Sequence, residues 1–199
     1  NNIQYSILRI PKRDTRVISF LQKEGFYYVE TLYEAKCRVK RIQNLYLNDI
    51  KNKTLKKDCD VQELCLLSSQ MFKHGRFAED YNIDNSLSNK RSYKIAKDFH
   101  ESEHDRLFLF FKKQIIGFMF YQTLAPKQTQ LSFGGVSENY PHLAKAFWSK
   151  VFLELPQDNI VKADISGANI GVMNLYSHFG FSFASPKFGY HKKWRNNES

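Results

Sequence analysis

From residue 159 onward apolar and polar positions alternate, switch at Asn169 to a 3.6-residue period, and return to alternation after Gly180. This pattern predicts a strand, a helix and then two further strands. Asn169 suits a helix N-cap, and Val172, Met173, Tyr176 and Phe179 fall on one helical face. Gly180 can take the left-handed conformation that ends a helix, after which Phe181 and Phe183 point to one side of a new strand.

The same patterning divides the rest of the chain. Tyr5 and Ile7, with Ile3 before them, alternate as a first strand that Pro11 breaks. A helix over 15–24 carries Val17, Phe20 and Leu21 on its apolar side, Gly25 ends it, and 26–36 reads as a strand. Residues 60–73 place Val61, Leu64, Cys65, Leu67, Ser68 and Met71 at helical spacing, with Asp60 and Glu63 as a capping pair. Gly75 stops that helix, and a polar loop leads to another through Tyr93 and Ile95 to Phe99. Residues 106–121 form two strands joined at Lys112 and Lys113, 130–136 a third, and 141–155 a helix burying Leu143, Phe147, Val151 and Leu155.

Residues 17–28 align without gaps on 172–183, so that Val17, Gly25 and Phe26 recur as Val172, Gly180 and Phe181. Leu21 stands where Tyr176 stands. Either the opening repeats the closing unit without its hydroxyl, or any helix followed by Gly and an aromatic strand reads this way. Residues 46–59, rich in Lys, Asn and Asp, have little periodicity and form a candidate linker. The expected organisation is therefore a 1–45 unit, a 46–59 linker and a 60–199 domain.

At 199 residues and 42% hydrophobic content the chain can bury one sizeable core. It contains no apolar run of the ~18 residues a membrane helix needs, and its polar first residues are no signal peptide. A cytoplasmic protein without membrane contact is expected. Cys37, Cys59 and Cys65 are scattered and odd in number, which implies free thiols rather than a disulfide framework. The net charge of +10 suggests nucleic acid, but Lys and Arg are spread along the chain without an aromatic–basic RNA motif. A solvated surface is favoured, and a positive field around phosphate-bearing small molecules is the other reading.

Asn169, Leu175, Tyr176, Gly180 and Phe181 match in order and spacing the closing third of the GNAT acyltransferase superfamily, which this chain resembles. The FGYHKKW ending and FKHGRFAEDYNI at 72–83 are similar to the branch that acetylates amino sugars on nucleotide carriers, the dTDP-fucosamine acetyltransferases. The resemblance implies an α/β GNAT fold, a mixed and mostly antiparallel sheet flanked by helices, with 1–45 as a small partial α/β unit. It also implies acetyl-CoA as acyl donor, no metal, a nucleotide-linked amino sugar as acceptor, and transfer for surface polysaccharide synthesis. Pairing of carboxyl-end edge strands would allow a homodimer.

On the same grounds Tyr176 is the acid that protonates the leaving thiolate, beside Asn169 on the pantetheine arm. Donor contacts are expected from Gly135, Val136, His142, Leu143, Ala144, Asn169 and Tyr176, and acceptor contacts from Arg76, Phe77, Tyr121, Glu138 and His191. A bulge at 133–136 would aim the Val136 amide at the thioester carbonyl, with Gly134 and Gly135 permitting close approach. The start of the 141–155 helix would present free amides to a pyrophosphate. One departure stands out: where the family loop reads Q/R, x, x, Gly, x, Gly/Ala, this chain has Pro141, Ala144 and Ala146. Arg76 could hold an acceptor phosphate or pair with Asp80, and Glu138, His74 and His191 are each candidates for the base that takes the amine proton.

A rival motif, His100, Glu101 and His104, spells HExxH, which on a helix puts two imidazoles on one zinc. Flanking acidic residues, and a strand that begins almost at once, argue against it. No phosphate loop, GxSxG elbow or GxGxxG is present. A GNAT enzyme for another amine (a polyamine, peptide or antibiotic), or a non-catalytic binding protein of this fold, are the alternatives to amino-sugar transfer.

Overall fold

The computed structural model describes residues 5–11, 14–42 and 45–194, so Ile3 lies outside it. Strand β1 (Tyr5–Pro11), helix α1 (Thr15–Lys23) and strand β2 (Tyr27–Arg38) come first, followed by a short strand β3 (Thr54–Lys56). Helices α2 (Val61–Met71) and α3 (Asn85–His100) precede the meander β4 (Asp105–Phe111), β5 (Gln114–Ala125) and β6 (Gln128–Val136). A 3-10 turn (Pro141–Leu143) runs into helix α4 (Ala144–Glu154), and β7 (Ile160–Ser166), α5 (Ile170–His178) and β8 (Ser182–Lys193) complete the chain. All eight strands join one sheet in the order β1-β8-β2-β7-β6-β5-β4-β3. Among the described residues only β6 and β7 pair in parallel.

Strands β4 and β5 explain why residues 106–121 are so uniformly apolar. Leu107, Leu109, Ile116 and Met119 join the cluster under α4 and α5, while Phe108, Phe110, Phe118 and Phe120 join the one under α2 and α3. A strand covered on both faces gains nothing from alternation. Lys112 and Lys113 turn the hairpin at φ 49° and 69°, with their charged ends in solvent. Within 46–59, Ile50 is buried and β3 extends the sheet edge beside β4. No helix of the described residues is long and apolar enough to cross a membrane.

Three local expectations are corrected. Asp60 accepts the Glu63 amide as a cap, but the Glu63 carboxylate turns outward to accept the Ile115 amide at 2.8 Å. The two strands expected after Gly180 are one strand, β8, with Ser185 at φ 49° where its register against β2 shifts. The bulge of β6 lies at Ser132, between Leu131 opposite Tyr121 and Phe133 opposite Phe120, one position earlier than the 133–136 stretch.

The opening and closing segments share their geometry well beyond the aligned residues. Each bound of β1, α1 and β2 recurs in β7, α5 and β8 after a constant 155 positions, the difference between Tyr5 and Ile160. Tyr5 faces Lys193 as Ile160 faces Arg38, and Tyr27 faces His191 as Ser182 faces Lys36. A pseudo-two-fold axis therefore runs between β2 and β8. Gly25 and Gly180 end the two helices at φ +78° and +79°, a conformation that costs a side chain about 1–2 kcal/mol.

Candidate active site

The parallel ladder between β6 and β7 runs only from Gln128 opposite Ile160 to Leu131 opposite Ala163. Beyond the Ser132 bulge, β6 stays paired with β5 and its other edge is left open. The Ser137 amide donates to Ile116 O, so strand alternation turns the Val136 N–H away from β5, toward the opened side. A cavity of about 620 Å³ fills that side, between Gly134, Gly135 and Val136 on β6, Ala144, Lys145 and Trp148 on α4, and Asn169, Val172 and Leu175 around α5. Gly134 is demanded by the sheet itself: a Cβ there would sit 2.5 Å from Phe118 O. At Gly135 a Cβ would meet only the Met71 methyl, at 2.6 Å.

Asn169 borders this cavity and a second one of about 220 Å³, which has Tyr176 in its wall and also touches Trp148 and Val172. The Asn169 Oδ1 is committed to the cap, accepting the Val172 amide at 3.1 Å, which leaves its amide N–H donors for a ligand. Tyr176 is buried against Phe181, edge to face at 4.6 Å, and against Trp148 at 6.4 Å. Burial pushes its phenol far above the ordinary value, and the nearby Trp148 indole N–H offsets this only in part. That indole N–H is itself buried without forming a hydrogen bond. Tyr176 thus stays protonated in the wall of the smaller cavity.

The loop between α2 and α3 closes the other side. His74 borders both cavities, with its Nδ1 3.8 Å from Glu79 Oε1. Glu79 Oε1 in turn accepts the Gly75 amide at 2.8 Å and the Ser166 hydroxyl at 3.0 Å. Farther along, Asp80 Oδ2 accepts the Tyr27 hydroxyl at 2.9 Å and lies 2.6 Å from His191 Nδ1. Burial would raise the Asp80 carboxyl, but hydrogen bonds from His191, the Asn82 amide and Tyr27 outweigh it and hold the carboxyl below its usual range.

Several expected contacts are not made. His191 is fully buried in the Asp80 and Tyr27 cluster and lines neither cavity, which removes it both as an acceptor contact and as a base. Asp80 is spent on that cluster, so Arg76 does not pair with it. Tyr121 is buried in the core under α4, and its hydroxyl accepts Lys57 Nζ at 3.4 Å, away from both cavities. Glu138 borders the larger cavity but is exposed and paired with Lys73 at 2.6 Å. Phe77 lies beneath the Arg91 and Arg76 guanidiniums at 4.6 and 5.5 Å, beside a third small cavity.

The start of α4 departs most from expectation. The Leu143 amide donates to Tyr140 O and the Ala144 amide to Pro141 O, because a 3-10 turn precedes the helix. Those two amides are not free for a phosphate. The Leu143 side chain is in the core, His142 is exposed outside the cavity, and Ala144 alone of the three lines it. Lys145, Lys73 and His178 supply basic groups around the same cavity. Lys145 was legible as a cation in the first turn of a helix; the others follow only from tertiary placement.

His100 ends α3, Glu101 caps it, and His104 lies in the turn before β4 with Nδ1 2.7 Å from Ser102 Oγ. The two imidazoles of the HExxH run do not share a helical face. All three cysteines are free, and burial pushes each thiol up, that of Cys59 to about 12 with Asp58, Glu63 and Asp60 adding to the effect.

No protein-family model and no curated protein sequence matches the chain. Solved structures do. A conserved protein of Staphylococcus epidermidis without assigned function superposes with TM-score 0.70 at 15% identity, over 96% of this chain and 73% of that one. A GCN5-related N-acetyltransferase from Sphaerobacter thermophilus gives 0.60 at 11% identity, over 95% and 59%. A tandem GNAT protein from the clavulanic acid biosynthesis pathway gives 0.58 at 9%, over 95% and 63%. The chain spans less than two thirds of the last two. These likenesses establish the fold as the α/β GNAT fold, with a mixed, mostly antiparallel sheet flanked by helices. None of the three is described as acting on a nucleotide-linked amino sugar.

Proposed function

We propose that the protein is an acyl-CoA-dependent N-acetyltransferase, with the thioester in the larger cavity and the amine entering from the smaller. The observation that carries this reading is that Asn169 at the fork of β6 and β7 borders both cavities, with the outward Val136 N–H on the larger and the protonated Tyr176 in the wall of the smaller. Amine nitrogen attacks the carbonyl carbon, the C–S bond breaks, and the amide forms. The Val136 N–H stabilises the oxygen as it becomes negative. Tyr176 donates its hydrogen to the departing sulfur, and the proton lost by nitrogen passes to His74 directly or through water.

The finer reading, in which the acceptor is a nucleotide-linked amino sugar for surface polysaccharide, rests on the sequence likeness of 72–83 and 188–194. Residues 1–45 are then a partial copy of the β7–α5–β8 unit that keeps its packing and lacks the phenol. A non-catalytic binding protein is the second reading, favoured by the occupied amides of Leu143 and Ala144.

The decisive experiment is thiol release from acetyl-CoA against a panel of amines that includes amino-sugar nucleotides. Turnover with any member supports the transferase. Calorimetry showing no acetyl-CoA binding at millimolar concentration would overturn it.

A further inference from the structure

Three guanidiniums meet beside the smaller cavity. Arg9, Arg76 and Arg91 line a pocket of about 90 Å³ that shares Phe72, His74, Gly75 and Phe133 with it. Arg9 reaches them across the sheet, because Gly189 of β8 stands opposite both Arg9 and Glu30 and has no side chain to separate them. A Cβ at Gly189 would lie 2.7 Å from Glu30 Cγ. Arg9 therefore donates through Nε and Nη2 to Glu30 Oε1, at 2.9 and 2.6 Å.

That carboxylate is the one anion of the group. Among the described residues neither Arg76 nor Arg91 makes an ion pair, and the Arg76 Nε is buried without a partner. Burial and then the repulsion of their neighbours push both guanidiniums down. A solvated surface does not account for a buried guanidinium donor left open; an oxyanion, which takes two parallel N–H bonds from an arginine, does. The pocket holds a few waters' worth of space, enough for a phosphate or carboxylate. The amine's side also carries acidic groups: Glu30 Oε2 is buried without a partner, and Asp164 and Ser166 share its cavity with Arg9 and His74.

We propose that the amine acceptor carries a covalently attached oxyanion, phosphate or carboxylate, which Arg76 and Arg91 hold in this pocket while the amine faces Tyr176. The proposal rests on the transferase reading and adds the class of acceptor: a two-ended molecule rather than a simple amine.

Two measurements test it. The first compares thiol release from acetyl-CoA with glucosamine, glucosamine 6-phosphate and UDP-glucosamine, and with propylamine and β-alanine. The anionic member of a series is expected to have the higher kcat/KM, and Arg76→Gln or Arg91→Gln to shrink that preference about tenfold or more. The series that shows the preference separates phosphomonoester, diphosphate and carboxylate. The second titrates the protein with inorganic phosphate and follows the arginine Nε–H signals by NMR, where Arg76 should shift and, in Arg91→Gln, shift at higher phosphate. Turnover without preference for any anionic acceptor overturns the inference and leaves the transferase standing. A phosphate-dependent Arg76 shift without thiol release from any amine overturns the transferase and leaves the anion pocket. No shift and no preference overturns the pocket.

Discussion

Asp14 and Asn169, 155 positions apart, make the same bond: each side-chain oxygen accepts the amide three residues on, Val17 and Val172, at 3.1 Å. One cap faces solvent and the other faces two cavities. Replacing either with Ala should cost about 0.5–2 kcal/mol of stability. Only Asn169→Ala should also weaken acetyl-CoA binding. Denaturant melts paired with calorimetry on both variants check this, and equal losses of affinity would refute the division of roles.

Tyr176→Phe should leave the melting temperature nearly unchanged and lower kcat on the order of 100-fold or more. Because burial raises the phenol above its ordinary value, the wild type should keep its hydrogen donor throughout the neutral and mildly alkaline range. An alkaline limb in the kcat profile below about pH 10 that vanishes in the Phe variant would contradict the placement.

Gly134→Ala forces a methyl to within 2.5 Å of a β5 carbonyl, which only a backbone shift relieves. A loss of about 1–3 kcal/mol is expected. Gly135→Ala displaces only the flexible end of Met71 and should cost less. Thermal denaturation of the pair decides whether packing or ligand approach fixed these glycines.

The Asp80 carboxyl is lowered in the folded state, so its ionised form contributes stability above the ordinary value near 4 and loses that contribution as pH falls through the lowered one. Asp80→Asn breaks a buried pair and should cost about 3–5 kcal/mol at pH 7. Its deficit relative to wild type should shrink below about pH 4. A deficit constant from pH 7 to pH 2 would show that the carboxylate charge is not what holds His191 and Tyr27.

Local chemistry was legible wherever it acts over a few residues. The Asn169 cap, the Gly180 stop, the Lys112 and Lys113 turn and the stripe of Leu143, Phe147, Val151 and Leu155 all form as their spacing implied. The placement of β2 between β7 and β8 was not legible, since it joins the two ends of the chain through a ladder that no local signal encodes. Nor was the pairing of β1 with β8, which brings Arg9 beside Arg76 and Arg91.

Tyr121 shows why the remaining contacts failed. A period of two gives the residues that share a face, but not what covers that face. Tyr121 shares a face of β5 with Met119 and sits opposite Leu131, and that face is packed as core. His191 was lost differently: its spacing marks a strand, and only the fold reveals that Asp80 and Tyr27 already surround it. Apolar periodicity, caps and turns were thus set by the sequence alone, because they depend on neighbours along the chain. Which polar groups share a cavity, and which spend their bonds on one another, was decided by strand order and register across distant segments.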